Sequence, residues 1–328
     1  MIKIDLITGF LGSGKTTFIK KYARYLLDRG MHIGILENDY GAVNVDMMLL
    51  QELRGENCEI EMVAGGCDAD CHRRRFKTKL IAMGMSGYDR VLVEPSGIFD
   101  MDEFFDALYE EPLCRWYEIG NVIAIVDAKL PDKLSGQSEF LLANEIADAG
   151  KVVLSRSKEA TRQEIENTIA HLNRAMEYVK CKRRFKNELL VKDWAEFDAQ
   201  DYEDILKCGY VAEDYVKSFD EDHGYKSLYF MNKRMSVDSL KEKAETIMQD
   251  SSCGNIFRIK GFLLIDEEDV SADAQNAVAN RKGERFIELN ATKQEVMVKP
   301  IAEGQEILIV IGEDLNEDRI NSYFENTI

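Results

Sequence analysis

Residues Gly9-Phe10-Leu11-Gly12-Ser13-Gly14-Lys15-Thr16 follow directly on the apolar run Ile2 to Ile7 and lead into a helical stripe at Phe18, Ile19, Tyr22 and Leu26. A glycine-rich turn between a strand and a helix points successive backbone N–H groups at one spot. The helix N-terminus adds partial positive charge there, so the turn suits a phosphate group. The spacing G-x-x-x-x-G-K-[ST] makes Gly9, Gly12, Ser13 and Gly14 candidate phosphate contacts, and Thr17, just past that pattern, is a further candidate. Lys15 is expected to reach the β and γ phosphates of a nucleoside triphosphate, and Thr16 to hold Mg²⁺. In the empty loop the Lys15 ammonium is expected to be solvated.

A strand that feeds such a loop constrains the rest of the fold. Apolar runs recur at Ile2 to Ile7, Ile33 to Leu36, Arg90 to Glu94, Asn121 to Asp127, Lys151 to Leu154 and Leu189 to Lys192. Helical patterns lie between them at Thr16 to Asp28, Cys71 to Met83, Met101 to Leu108, Ser138 to Asp148 and Thr161 to Val179. Continuous apolar strands alternating with helices predict an α/β domain whose parallel sheet is covered on both faces. Its ligand belongs at the carboxyl edge. After a helix at Asp201 to Cys208, the acidic stretch Phe219-Asp220-Glu221-Asp222-His223-Gly224 reads as a linker. Strands then predominate, with helices at Val237 to Gln249 and Glu317 to Phe324. The expected division is a phosphate-loop nucleotide-binding domain over 1–215 and a small α+β domain over 225–328.

Sixty acidic against 42 basic residues give a net charge of −18. That balance argues against nucleic acid and anionic membranes as partners, since both bind positive surface. Seven cysteines, an odd number spread over 328 residues, do not form a disulfide framework. With no export signal and no apolar stretch long enough to span a bilayer, a cytoplasmic protein is expected.

Three further segments carry chemistry. The run Ile33 to Leu36 leads to Asn38-Asp39, and the third apolar run delivers Glu94-Pro95-Ser96-Gly97. Beside a phosphate loop, Asp39 and Glu94 are candidate catalytic and Mg²⁺-assisting carboxylates, and the Gly97 N–H is a candidate γ-phosphate contact. Cys67 and Cys71 lie four apart in Gly66-Cys67-Asp68-Ala69-Asp70-Cys71-His72 and form a candidate Zn²⁺ site. Two thiols do not close a tetrahedral site by themselves, so a shared site in a homodimer is one expectation.

Together these residues resemble the CobW/HypB/UreG family of metallochaperone-type GTPases, specifically its CobW branch. The family's G-F-L-G-[SA]-G-K-T-T loop is matched from Gly9 to Thr17, its E-x-x-G loop by Glu94 to Gly97, and its V-D-A strand end by Val126-Asp127-Ala128. Its N-E-x-G-x-x-x-x-D segment is matched by Asn38 to Asp46, with Asp39 in place of Glu. The C-terminal R-x-K-G-F strand is matched by Arg258 to Phe262. Two departures stand out. The metal motif G-C-x-C-C is stretched and one thiol short. The guanine-reading N-K-x-D is replaced by Ser155-Arg156-Ser157-Lys158, where a lysine offers only donors to a base that an aspartate would read as acceptor. Ser155, Arg156 and Lys158 remain the candidate base contacts.

The resemblance implies a slow Mg²⁺-dependent nucleoside triphosphatase, using GTP or ATP, that serves as chaperone or switch for a client metalloprotein or cofactor enzyme, with Zn²⁺ as the expected metal. Two other classes stay open at this point: a dimeric redox or iron–sulfur protein built on Cys67 and Cys71, and a nucleotide sensor that does not hydrolyse.

Overall fold

The computed structural model describes residues 1–10, 12–39, 49–64, 69–95, 101–186, 188–212, 226–265, 285–293, 295–301 and 306–325. The chain divides into two compact units, Met1–Phe219 and Asp220–Ile328. The linker read at Phe219 to Gly224 lies outside the described residues.

The first unit is a seven-stranded parallel sheet: β1 (Ile2–Thr8), β2 (Ile33–Asp39), β3 (Cys58–Ala64), β4 (Arg90–Pro95), β5 (Tyr117–Asp127), β6 (Lys151–Ser155) and β7 (Leu189–Leu190). The strand order is β3-β2-β4-β1-β5-β6-β7. Its helices among the described residues are α1 (Lys15–Asp28), α2 (Ala69–Gly84), α3 (Met101–Tyr109), α4 (Leu113–Trp116), α5 (Gly136–Ala147), α6 (Arg162–Tyr178) and α7 (Ala199–Leu206).

Alternate residues of each central strand feed different cores. Ile4 and Leu6, Val91 and Val93, and Val122, Ala124 and Val126 join Phe76, Phe104, Leu142 and Leu172 from α2, α3, α5 and α6. Ile7, Leu92, Ile123 and Ile125 join Phe18, Ile19, Tyr22 and Leu26 from α1. This period-two sorting is why the strands read as unbroken apolar runs. Because β1 sits between β4 and β5, the connections diverge at its carboxyl end, where open α/β sheets hold ligands.

Within the sheet, Asp5 is fully buried and satisfied from three elements. Arg90 Nη1 donates to its Oδ1, Tyr22 donates to Oδ2 at 2.9 Å, and the Asn121 N–H donates to Oδ1 at 2.8 Å. Asn121 Oδ1 in turn accepts from Gly209 N at 2.9 Å, fastening the segment after α7.

The second unit holds an antiparallel sheet in the order β11-β10-β9-β12-β8. Its strands are β8 (Lys226–Met231), β9 (Asn255–Leu264), β10 (Phe286–Thr292), β11 (Val296–Ile301) and β12 (Ile307–Glu313). Its helices α8 (Val237–Gln249) and α9 (Glu317–Glu325) supply Leu240, Ile247, Ile320 and Phe324 to a core with Ile259, Leu289 and Val310.

Two elements were not anticipated, β3 and the short α4. In β3, Glu59 is exposed and Glu61 partly so, and β3 is the edge of its sheet. An edge strand keeps polar residues and so lacks a continuous apolar run. β5 also begins before Asn121, at Tyr117. Among the described residues no helix is long and apolar enough to cross a membrane.

Candidate functional site

The loop between β1 and α1 depends on its glycines. At Gly9 φ is +141°, and a Cβ would stand 2.2 Å from the Ile125 carbonyl, so the chain leaves β1 flush against β5. Gly14, at φ +98°, is the N-cap residue of α1, which has no side-chain cap and no acidic residue in its first turn. Three other helices of this unit carry side-chain caps: α5 by Ser135, α6 by a Thr161–Glu164 capping box, α7 by Asp198. The first N–H groups of α1 are therefore left to an outside acceptor, and an anion meets that need.

Lys15 Nζ donates to the Gly9 carbonyl at 2.7 Å. The residue is only 7% exposed, which corrects the expectation of a solvated ammonium: the side chain folds back across its own loop. Glu145, near the end of α5, is buried close enough to feel that charge. Burial pushes its carboxyl up to about 8, with Lys15 pulling the other way. No motif in the sequence marks Glu145, because it enters the site from a helix far along the chain.

Thr16 Oγ1 donates to Glu94 Oε1 at 2.9 Å, and both residues are buried. The bond forms because β4 pairs with β1, which carries its carboxyl end beside the start of α1. In the β2–β4 register Glu37 faces Glu94 and Asn38 faces Pro95, so the end of β2 reaches the same edge. Asn38 is 1% exposed, and neither its Oδ1 nor its Nδ2 has a hydrogen-bond partner; Ser13 Oγ is in the same position. Buried polar atoms left unbonded cost about 1–3 kcal/mol each, and these lie along the edge where phosphates would sit. Asp39 closes β2, but its side chain lies outside the described residues, as does Gly97.

After β6 the candidate base contacts diverge. The Ser155 hydroxyl is buried and donates to the Val126 carbonyl at 3.3 Å. Arg156, in the left-handed region at φ 52°, pairs with Asp127 Oδ2. Asp127 Oδ1 accepts from Lys129 N at 2.8 Å, so both oxygens of the acid at the end of β5 are engaged. Lys158 is exposed.

Of the thiol pair, Cys71 lies in α2, partly buried next to the buried His72, and Cys67 lies outside the described residues. Among the described residues no group of three or more His, Cys, Asp and Glu side chains is arranged to hold a metal ion.

Over 183 residues the chain is 28% identical to the zinc chaperone YjiA of Escherichia coli (strain K12), covering 52% of this chain and 55% of that protein. It is 29% identical over 164 residues to the urease accessory protein UreG of Metallosphaera sedula (strain ATCC 51363 / DSM 5348 / JCM 9185 / NBRC 15509 / TH2), covering 44% of this chain and 72% of that one. The matched stretch spans about half the length of the Escherichia coli relatives. Among solved structures, Zn(II)-bound YjiA GTPase from E. coli aligns with a TM-score of 0.35 at 15% identity, covering 99% of this chain and 98% of that chain. The family model for the CobW/HypB/UreG nucleotide-binding domain matches residues 3–183, more than half of the 328, and the chain belongs to that family.

Proposed function

We propose that this protein is a Mg²⁺-dependent nucleoside triphosphatase, taking GTP and also ATP, that acts as a metal or cofactor chaperone or switch for a client metalloprotein, with Zn²⁺ as cargo. The observation that carries the reading is the Thr16–Glu94 hydrogen bond at the mouth of an uncapped helix. It joins a hydroxyl and a carboxylate, the hard oxygen donors Mg²⁺ prefers. Thr16 and Glu94 would hold the ion, with Asp39 assisting. When bound, Mg²⁺ supplies positive charge that offsets the charge of the transferring phosphoryl group.

The chain's own groups do the rest. Lys15 exchanges the Gly9 carbonyl for phosphate oxygens, and the amide N–H groups at the start of α1 donate hydrogen bonds that stabilise the charge building up on the phosphates. A lysine already folded into the loop and kept from water needs little rearrangement to act. Asp39, next after Asn38, is suited to orient the attacking water. Support for a chaperone role comes from family membership and from relatives named zinc chaperones. Cys67 and Cys71 are the thiols assigned to the cargo in this reading.

Calorimetric titration with GTP and ATP in the presence of Mg²⁺ tests the reading. Wild-type protein should bind both and Lys15→Ala neither, with the thermal unfolding of the variant retained. Wild-type affinity in Lys15→Ala would remove the phosphate-loop assignment.

A further inference from the structure

The turn after β7 brings an aromatic ring to the phosphate loop. Trp194 begins the short 3-10 turn Trp194–Glu196, downstream of the pairing of β7 with β6 at Val152–Leu189 and Val153–Leu190. The outer edge of its indole lies so near Gly14 that a Cβ there would stand 2.9 Å from Cη2. The same ring meets Phe18 edge-on, with centroids 6.1 Å apart. Gly14 and Phe18 are one helical turn apart, so the indole is braced along the first turn of α1. Its backbone is fixed as well: Asp193 accepts from Ala195 N at 2.8 Å, and Lys192 is held by Asp198 and Asp201. Within this braced setting Trp194 Nε1 is buried and has no hydrogen-bond partner.

From this geometry we infer that Trp194 is the base-contacting wall of the nucleotide site, an aromatic surface that holds a purine without distinguishing adenine from guanine. The inference rests on the nucleotide reading of the phosphate loop. Phosphates gathered on the amides at the start of α1 leave the sugar and base to extend along the sheet edge. On the β6–β7 side the described groups are Trp194 and the residues after β6. The candidate base contacts there bring no carboxylate, since the Ser155 hydroxyl turns into the sheet and Lys158 brings only donors; of the acids nearby, Asp127 at the end of β5 is engaged by Arg156 and the Lys129 N–H, and Glu159 pairs with the Lys129 ammonium at 3.9 Å. An indole face accepts any base, since every base has a π-face. The unbonded N–H adds a donor, and both purines carry acceptors on their rings.

The chain has two tryptophans. Trp116 packs against Gly84, where a Cβ would stand 2.6 Å from its ring, so Trp116→Phe leaves Trp194 as the reporter. In that background GTP and ATP with Mg²⁺ should each change the Trp194 emission, and inorganic tripolyphosphate, which has no base, should not. Trp194→Ala should weaken GTP and ATP alike by about five- to 150-fold and leave tripolyphosphate affinity unchanged, while Trp194→Phe stays within a few-fold of wild type. If the alanine variant does not fold, Trp194→Leu, which keeps bulk against Gly14 and Phe18, carries the same comparison. An equal loss for tripolyphosphate would mean that Trp194 only props the phosphate loop, and unchanged nucleotide affinity would mean that the base lies elsewhere; either result overturns the inference. Wild-type protein that binds neither nucleotide nor tripolyphosphate would instead overturn the nucleotide reading, and this inference with it.

Discussion

The Thr16 hydroxyl donates to Glu94 Oε1 at 2.9 Å, joining the first turn of α1 to the end of a strand 78 residues later. Neither residue is exposed enough for water to compete strongly with that bond. The pair sets the charge at the phosphate edge. Glu94→Gln keeps an oxygen that accepts from Thr16 and removes the negative charge. Turnover measured against Mg²⁺ concentration should then need about 10- to 100-fold more Mg²⁺, in the range seen when groups supporting a metal are altered. An unchanged Mg²⁺ dependence would remove Glu94 from the metal site.

Base selection should be weak. An aspartate after β6 could pair with two guanine N–H groups, whereas this chain has Lys158 there and an Asp127 already bonded on both oxygens. Competition binding should give a GTP-to-ATP preference below roughly a thousandfold, or about 4 kcal/mol. A larger preference would locate the base reader at residues other than these.

Glu145 should make the stability of the first unit fall as pH rises. Its carboxyl is raised from the ordinary 4.5 to about 8 in the fold, chiefly by burial, with Lys15 opposing. Between those values the folded chain keeps a proton that the unfolded chain has released, so stability is fully present below about 4.5 and is lost as pH climbs through about 8. Glu145→Gln cannot ionise. Its advantage over wild type should grow across that window to on the order of 3–5 kcal/mol and then level off. Parallel pH profiles for the two proteins that never diverge would refute this.

Asp5→Ala separates scaffold from site. It strands the Arg90 guanidinium in the sheet and leaves the Tyr22 hydroxyl and Asn121 N–H without their acceptor. Removing one partner of a buried ion pair costs about 3–5 kcal/mol. The denaturation midpoint of the first unit should drop accordingly while triphosphate affinity in the folded protein stays within about twofold. A selective loss of affinity at unchanged stability would tie this network to the phosphate loop.

Local patterns carried a great deal of this protein. The phosphate loop, α1 and the apolar strands follow from neighbours in sequence, because a turn's backbone angles, a helix period and a buried strand are decided within a few residues. β3 escaped notice for the same reason: with Glu59 exposed on a sheet edge, its local pattern is mixed. Family motifs extended the local reading to the altered base loop. Tertiary structure alone decided which distant groups meet. The strand order β4-β1-β5 brings Glu94 to Thr16 and Arg90 to Asp5, the packing of α5 buries Glu145 near Lys15, and the turn after β7 sets Trp194 against Gly14. None of these pairs has a spacing that announces it. Each is fixed by which surfaces the two cores bury together, and that energy is a property of the assembled sheet and its helices rather than of any one segment.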